Sequence, residues 1–112
     1  MSDNDPKTEK IRSLNDAFRK TFAGGQIIMT QGVASLSSEE KIAIMQKVRL
    51  FDDFEEANDP YGEHDFGAFE HNGEKFFWKI DYYDKSLEQG SEAPANPEET
   101  RRVMTVMFAN EY

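Results

Sequence analysis

Four residues close together in the chain, Asp59, Glu63, His64 and Asp65, carry the side chains best suited to chemistry. Carboxylates and an imidazole gathered this tightly can ligate Mg²⁺, Mn²⁺ or Zn²⁺, or divide the roles of general acid and general base. Their spacing matches neither an EF-hand loop nor the His-Glu-x-x-His zinc pattern. If residues 63–66 form a strand, Glu63 and Asp65 share one face and His64 points to the other, which splits the group. The competing reading has Asp59 closing a turn through its side chain, with His64 a satisfied, half-buried imidazole. Asp81 is a further carboxylate. Beside Lys79 it forms a surface pair worth little; across a hairpin from Glu63 or Asp65 it would complete an acidic cluster that raises the pKa of one member or holds a divalent cation.

Other chemistries have less support. The chain has no cysteine, which excludes disulfides, thiolate metal sites, cysteine nucleophiles and iron–sulfur clusters. No serine sits in a Gly-x-Ser-x-Gly elbow. His71 is expected to be exposed in a turn, and Gly24-Gly25 lacks the lysine of a phosphate loop. No catalytic residue and no cofactor is therefore assigned.

Charge is the stronger signal. The 112 residues hold 22 acids and 13 bases, a net of -9. Residues 52–99 alone hold 15 acids and 3 bases, whereas residues 1–51 hold 6 acids and 8 bases. So acidic a chain does not neutralise nucleic-acid phosphates or settle on an anionic membrane. No apolar stretch reaches the roughly 18 residues of a membrane span, and the polar, acidic start does not read as a signal peptide. A cytoplasmic location is expected. The acidic segment reads either as solvation or as a negative face for a basic partner. On the second reading Asp52, Asp53, Glu55, Glu56, Asp59, Glu63, Asp65 and Tyr61 make the contact. Same-face strand residues repeat about every 6.6 Å, comparable with backbone phosphates, so such a face could imitate nucleic acid.

These residues need elements to position them. Residues 1–5 read as a flexible start, and 6–112 as a single domain. Asp5-Pro6 opens a helix carrying Ile11, Leu14, Phe18 and Phe22 at helical spacing, closed by Gly24-Gly25. Gln26 to Thr30 reads as a short strand that Gly32 ends. Ser37 and Glu40 form a capping box for a helix over about residues 38–50, with Ile42, Met45, Val48 and Phe51 as its buried stripe. Residues 63–70 and 74–83 flank His71-Asn72-Gly73, the strongest short-range hairpin signal. Phe76, Trp78, Ile80 and Tyr82 should share one face, and Phe77, Lys79, Asp81 and Tyr83 the other. Residues 97–108 start like a helix but turn rich in β-branched side chains; the reading taken is one helical turn, then a strand over 102–109. The fold class is α+β: a largely antiparallel sheet of about four strands with two N-terminal helices on one face. Trp78, Ile80, Phe76, Val48, Met45, Leu14 and Ile11 should be core.

Three strings are unusually specific: Asn58-Asp59-Pro60-Tyr61-Gly62-Glu63-His64-Asp65-Phe66-Gly67, Trp78-Lys79-Ile80-Asp81-Tyr82-Tyr83-Asp84, and Arg101-Arg102-Val103-Met104-Thr105. With the final Glu111-Tyr112 they resemble the bacterial domain of unknown function 3768 family, from about Ile11 onward. That resemblance brings no activity or catalytic residue. It implies an accessory protein of plasmids and other mobile elements, a setting associated with plasmid maintenance and evasion of host defence. The preferred expectation is an acidic accessory protein that binds a basic surface, such as that of a nucleic-acid-binding protein, and so inhibits a host-defence nuclease or complex. The alternatives are a small metal-dependent hydrolase built on Asp59, Glu63, His64 and Asp65, and a structural or regulatory subunit.

Overall fold

The computed structural model describes residues 5–112; of the flexible start expected over residues 1–5, residues 1–4 lie outside the described residues. Helix α1 spans Pro6–Thr21, with Asp5 as N-cap accepting from the Lys7 amide. Strand β1 is Gly25–Met29, α2 a single turn over Gln31–Ala34, and α3 Ser38–Arg49. Strands β2 (Phe66–His71), β3 (Glu74–Tyr83) and β4 (Arg101–Phe108) follow, and a 3₁₀ turn over Ala109–Glu111 comes last. The strands form one sheet in the order β1-β4-β3-β2. The β2–β3 and β3–β4 pairs are antiparallel, and β1 joins β4 in parallel. This is the expected α+β arrangement, with the helices drawn from the N-terminal half.

Alternation along β3 decides the core. Phe76, Trp78 and Ile80 are buried on the helix side, where Met104 and Val106 of β4 join Phe18 of α1 and Ile44 and Val48 of α3. Ile11 is buried as well, whereas Leu14 and Met45 are only half-buried. Helix α3 buries Val48 as expected, but its inward stripe is rotated so that Ile44 takes the place expected for Ile42. Ile44 is fully buried and Ile42 is 66% exposed. The reason is the lateral anchoring of α3. Lys47 donates to the Glu70 carbonyl, and the Glu40 carboxylate binds His71 Nε2 at 3.0 Å and Asn72 Nδ2 at 2.6 Å. Those contacts roll Ile44 and Val48 onto the sheet. They also leave His71 half-buried rather than exposed. The Ser37 hydroxyl caps the Glu40 amide as expected, but the Glu40 side chain is spent on the hairpin.

Three boundaries differ from the sequence reading. Helix α1 closes on Phe22, in the left-handed conformation at φ 62°, before the glycine pair is reached. Its amide bonds to the Phe18 carbonyl, and the Arg49 guanidinium covers its ring. The short α2 follows β1 directly, because the Glu111 carboxylate accepts from the Thr30 hydroxyl and the Gly32 amide. Strand β2 starts at Phe66 rather than at residue 63. The last strand lies within one residue of its expected bounds, but the helical turn expected before it is a plain turn over residues 97–99.

The β2–β3 turn has the two positive φ angles of a type I′ hairpin, 53° at Asn72 and 78° at Gly73. Gly73→Val should therefore lower stability by about 1–3 kcal/mol, although no atom obstructs the side chain. Trp78→Ala should cost about 3–5 kcal/mol. Denaturant unfolding measures both, and a loss below about 1 kcal/mol for Trp78 would contradict its place in the core.

Candidate functional site

The connection between α3 and β2 runs from Leu50 to Asp65 and holds seven carboxylates. Its first half is folded rather than slack. The Asn58 side chain accepts from the Glu55 amide and donates to the Asp53 carbonyl, while the Asp59 amide donates to the Glu55 carbonyl. Phe51 and Phe54 anchor it inward, edge-on to Trp78. Asp52, Asp53, Glu55 and Glu56 all remain exposed. Among the described residues none of these four has an ion-pair partner within 4 Å. Tyr61, 71% exposed, continues the same surface.

The second half is strapped to α1. Arg12 donates to the Gly62 carbonyl, and Asn15 Nδ2 donates to the Glu63 carbonyl and the Tyr82 hydroxyl. Tyr82 in turn donates to Glu63 Oε1 at 2.8 Å. Arg102 completes the group by donating from Nε to Asn15 Oδ1 and from its guanidinium to the Pro94 carbonyl. Burial pushes the Tyr82 hydroxyl far above its usual range, and the nearby Asp65 charge adds to that. Burial lowers Arg102 from its ordinary value, against the charges of Tyr82 and Glu63.

His64 sits at φ 55°, a left-handed conformation that ends any strand through residues 63–65. Its surroundings fix that conformation. The His64 amide donates to Asp59 Oδ1, Nδ1 lies 2.9 Å from Asp16 Oδ1, and Nε2 lies 3.6 Å from Asp59 Oδ2. The ring stacks on Phe54 with centroids 3.7 Å apart. Asp59 thus closes a turn with its side chain, and His64 is a half-buried, satisfied imidazole. Asp59 is also buried, at 7% exposure, so it supports the acidic surface from beneath rather than lying on it.

The four residues singled out for metal chemistry do not converge. Asp59 and Asp16 take the two nitrogens of His64, while Glu63 turns to Tyr82. Among the described residues, no three His, Asp or Glu side chains are grouped to hold a metal ion. Asp65 is nevertheless perturbed. Burial raises its pKa to about 6, and the charges of Glu63, Asp59 and Asp81 add to the shift. Asp81 itself bonds Lys79 at 2.6 Å, which raises the lysine's pKa.

The sequence reading missed Asn15, Asp16, Arg19 and Arg102. Asn15 and Arg19 are buried at positions in line with Ile11, Phe18 and Phe22 on α1. A polar residue inside an apolar stripe is the signal that marks them.

A family model described as a protein of unknown function, DUF3768, matches residues 29–111. The chain belongs to the DUF3768 family. No curated protein and no solved structure matches it. The DUF3768 match starts at Met29, later than the resemblance read from about Ile11, so the straps from α1 come from outside the matched segment. The whole acidic connection lies within it. No helix among the described residues of this DUF3768 protein is long and apolar enough to cross a membrane.

The Asp65 shift has a testable sign. Its folded pKa, about 6, lies above the ordinary 3.8, so the fold favours the protonated acid. That contribution is complete below the ordinary value and is lost as pH rises through about 6. Asp65→Asn should remove this dependence and raise stability at pH 7 by about 1–2 kcal/mol, after discounting for partial exposure. Melting curves from pH 3.5 to about 7 check it; parallel curves for both proteins would refute it.

Proposed function

We propose that this protein is a small acidic interaction protein of a mobile genetic element, acting in the cytoplasm on a basic macromolecular surface. Asp52, Asp53, Glu55 and Glu56 make the contact, with Tyr61 as an aromatic anchor and Glu63 and Asp65 behind them. The partner is a nucleic-acid-binding protein of the host defence, and the carboxylates take the place of phosphates.

One observation carries this reading: four exposed carboxylates, without an ion pair among the described residues, on a connection pinned by Phe51, Phe54 and Asn58. Surface charge that serves only solubility needs no fixed backbone. Charge held in place binds with less ordering cost and steers association from a distance. Tyrosine is favoured at interfaces because one end is apolar and the other polar.

The test is affinity capture from a host lysate on the immobilised protein, followed by a salt series. Partners should elute as ionic strength rises, since the Debye length falls from about 10 Å at 0.1 M to about 3 Å at 1 M. Duplex DNA should compete for the same partners. Reversing Asp52, Asp53, Glu55 and Glu56 to Lys should leave the fold intact and abolish capture. A folded quadruple variant that captures the same proteins at the same salt would overturn the proposal. If that variant acts while His64→Ala is inert, function passes to the group around Asp59, Glu63, His64 and Asp65.

A further inference from the structure

A second surface, built from β1 and the outer side of α3, has the opposite charge. Strand β1 lies at the edge of the sheet. The Thr30 amide donates to the Val106 carbonyl, which sets the alternation of the parallel ladder. The N–H and C=O groups of Ile27 and Met29 therefore point outward, away from β4. Among the described residues, no backbone hydrogen bond from a turn, loop or helix reaches them. The edge is also unguarded. Gly25-Gln26-Ile27-Ile28-Met29 has no charge, proline or bulge, the usual devices against strand addition. At the other edge, Lys47 occupies the Glu70 carbonyl.

Beside this edge runs a groove of about 630 Å³ lined by Phe22, Met29, Ile42, Met45, Lys41 and Arg49. Its floor is apolar and its two charges are both positive. Among the described residues neither cation has a carboxylate within 4 Å. They mark its two ends. Arg49 lies over Phe22, just before β1 begins, and Lys41 reaches the Ala34 carbonyl, just after β1 ends. Eight residues of helix separate them, a rise of about 12 Å. Positions i and i+4 of an extended strand are about 13 Å apart and face the same way.

We propose that β1 accepts an extended peptide from a partner protein as a fifth strand, and that the peptide carries acid-x-apolar-x-acid. The backbone would pair with Ile27 and Met29. The central apolar side chain would enter the groove between Met29, Ile42 and Met45, and the two carboxylates would meet Lys41 and Arg49. This is strand addition, in which main-chain bonds supply affinity and side-chain pockets supply selectivity. A two-fold pairing through α3 is a poorer occupant, because it would set Lys41 of one copy against Arg49 of the other. The inference is independent of the proposed acidic contact and concerns a different surface.

The probe is the synthetic peptide Thr-Glu-Thr-Leu-Thr-Glu-Thr, titrated into the full-length protein and followed by amide chemical shifts. Saturable shifts confined to Gly25–Met29 and the outer face of α3 are expected. Lysine in place of both glutamates should weaken binding by at least about tenfold, as should methylation of the pairing amides of the peptide. Lys41→Glu should weaken the glutamate peptide and strengthen the lysine peptide. That exchange of preference cannot come from misfolding, and the variant spares the Arg49 contact with Phe22. No saturable shift at millimolar peptide, equal binding of both peptides, indifference to methylation, or shifts elsewhere would each overturn the proposal. So would a dimer in solution that Ile42→Glu converts to monomer, since a second copy would then own the groove.

Discussion

The rest of the structure depends on one buried guanidinium. Arg19 is 1% exposed and donates to the carbonyls of Val48, Arg49 and Phe51, where α3 ends. The last carbonyls of a helix have no partner within it. Here a side chain of another helix supplies one. The guanidinium also lies over Trp78 and Phe54, each at 5.3 Å, and pairs with Asp16 at 3.3 Å. Burial lowers its pKa, with Asp16 opposing the shift. Removing a charge from water is costly, and three carbonyls, a carboxylate and two rings offset that cost, although the buried Nε has no hydrogen-bond partner among the described residues. Asp16 then passes the order on to His64, and His64 to Asp59 and Phe54. The negative connection is thus positioned by a cation beneath it.

Much of the fold was legible because short-range rules decided it. The faces of β3 follow from alternation alone, and the hairpin turn from Asn72-Gly73. The start of α3 follows from Ser37. What was not legible depends on partners distant in sequence. Ile42 and Ile44 are both plausible inward residues; only the anchoring of Glu40 and Lys47 on the hairpin chooses Ile44. Residues 63–65 alternate like a strand, yet Arg12, Asn15 and Asp16 pull them onto α1 and turn His64 left-handed. The candidate site divides the same way. The exposure of Asp52, Asp53, Glu55 and Glu56 follows from their place among turn residues. The burial of Asp59 needs His64 and Phe54 to be on the spot.

The uneven charge of the sequence becomes, in three dimensions, two surfaces of different character. The negative one is a folded connection between α3 and β2. The positive one is a groove along α3 beside the β1 edge. Helix α3 serves both: its end launches the connection, and its outward stripe, left apolar by the inward turn of Ile44, roofs the groove.

The order of strands in the sheet has a consequence for synthesis. Strand β4, the last to leave the ribosome, lies between β1 and β3. Until residues 101–108 emerge, β1 has no neighbour and the β2–β3 hairpin is a two-stranded ribbon, which is marginal alone. The parallel pairing joins Gly25 to Arg102, a loop spanning most of the chain. Contacts so distant in sequence form slowly. The nascent chain therefore presents the apolar faces of α1 and α3 until residues 101–108 have emerged. A ribosomal stall shortly before residue 101 would therefore leave more unpaired strand and apolar surface waiting on one missing element than a stall at any earlier turn.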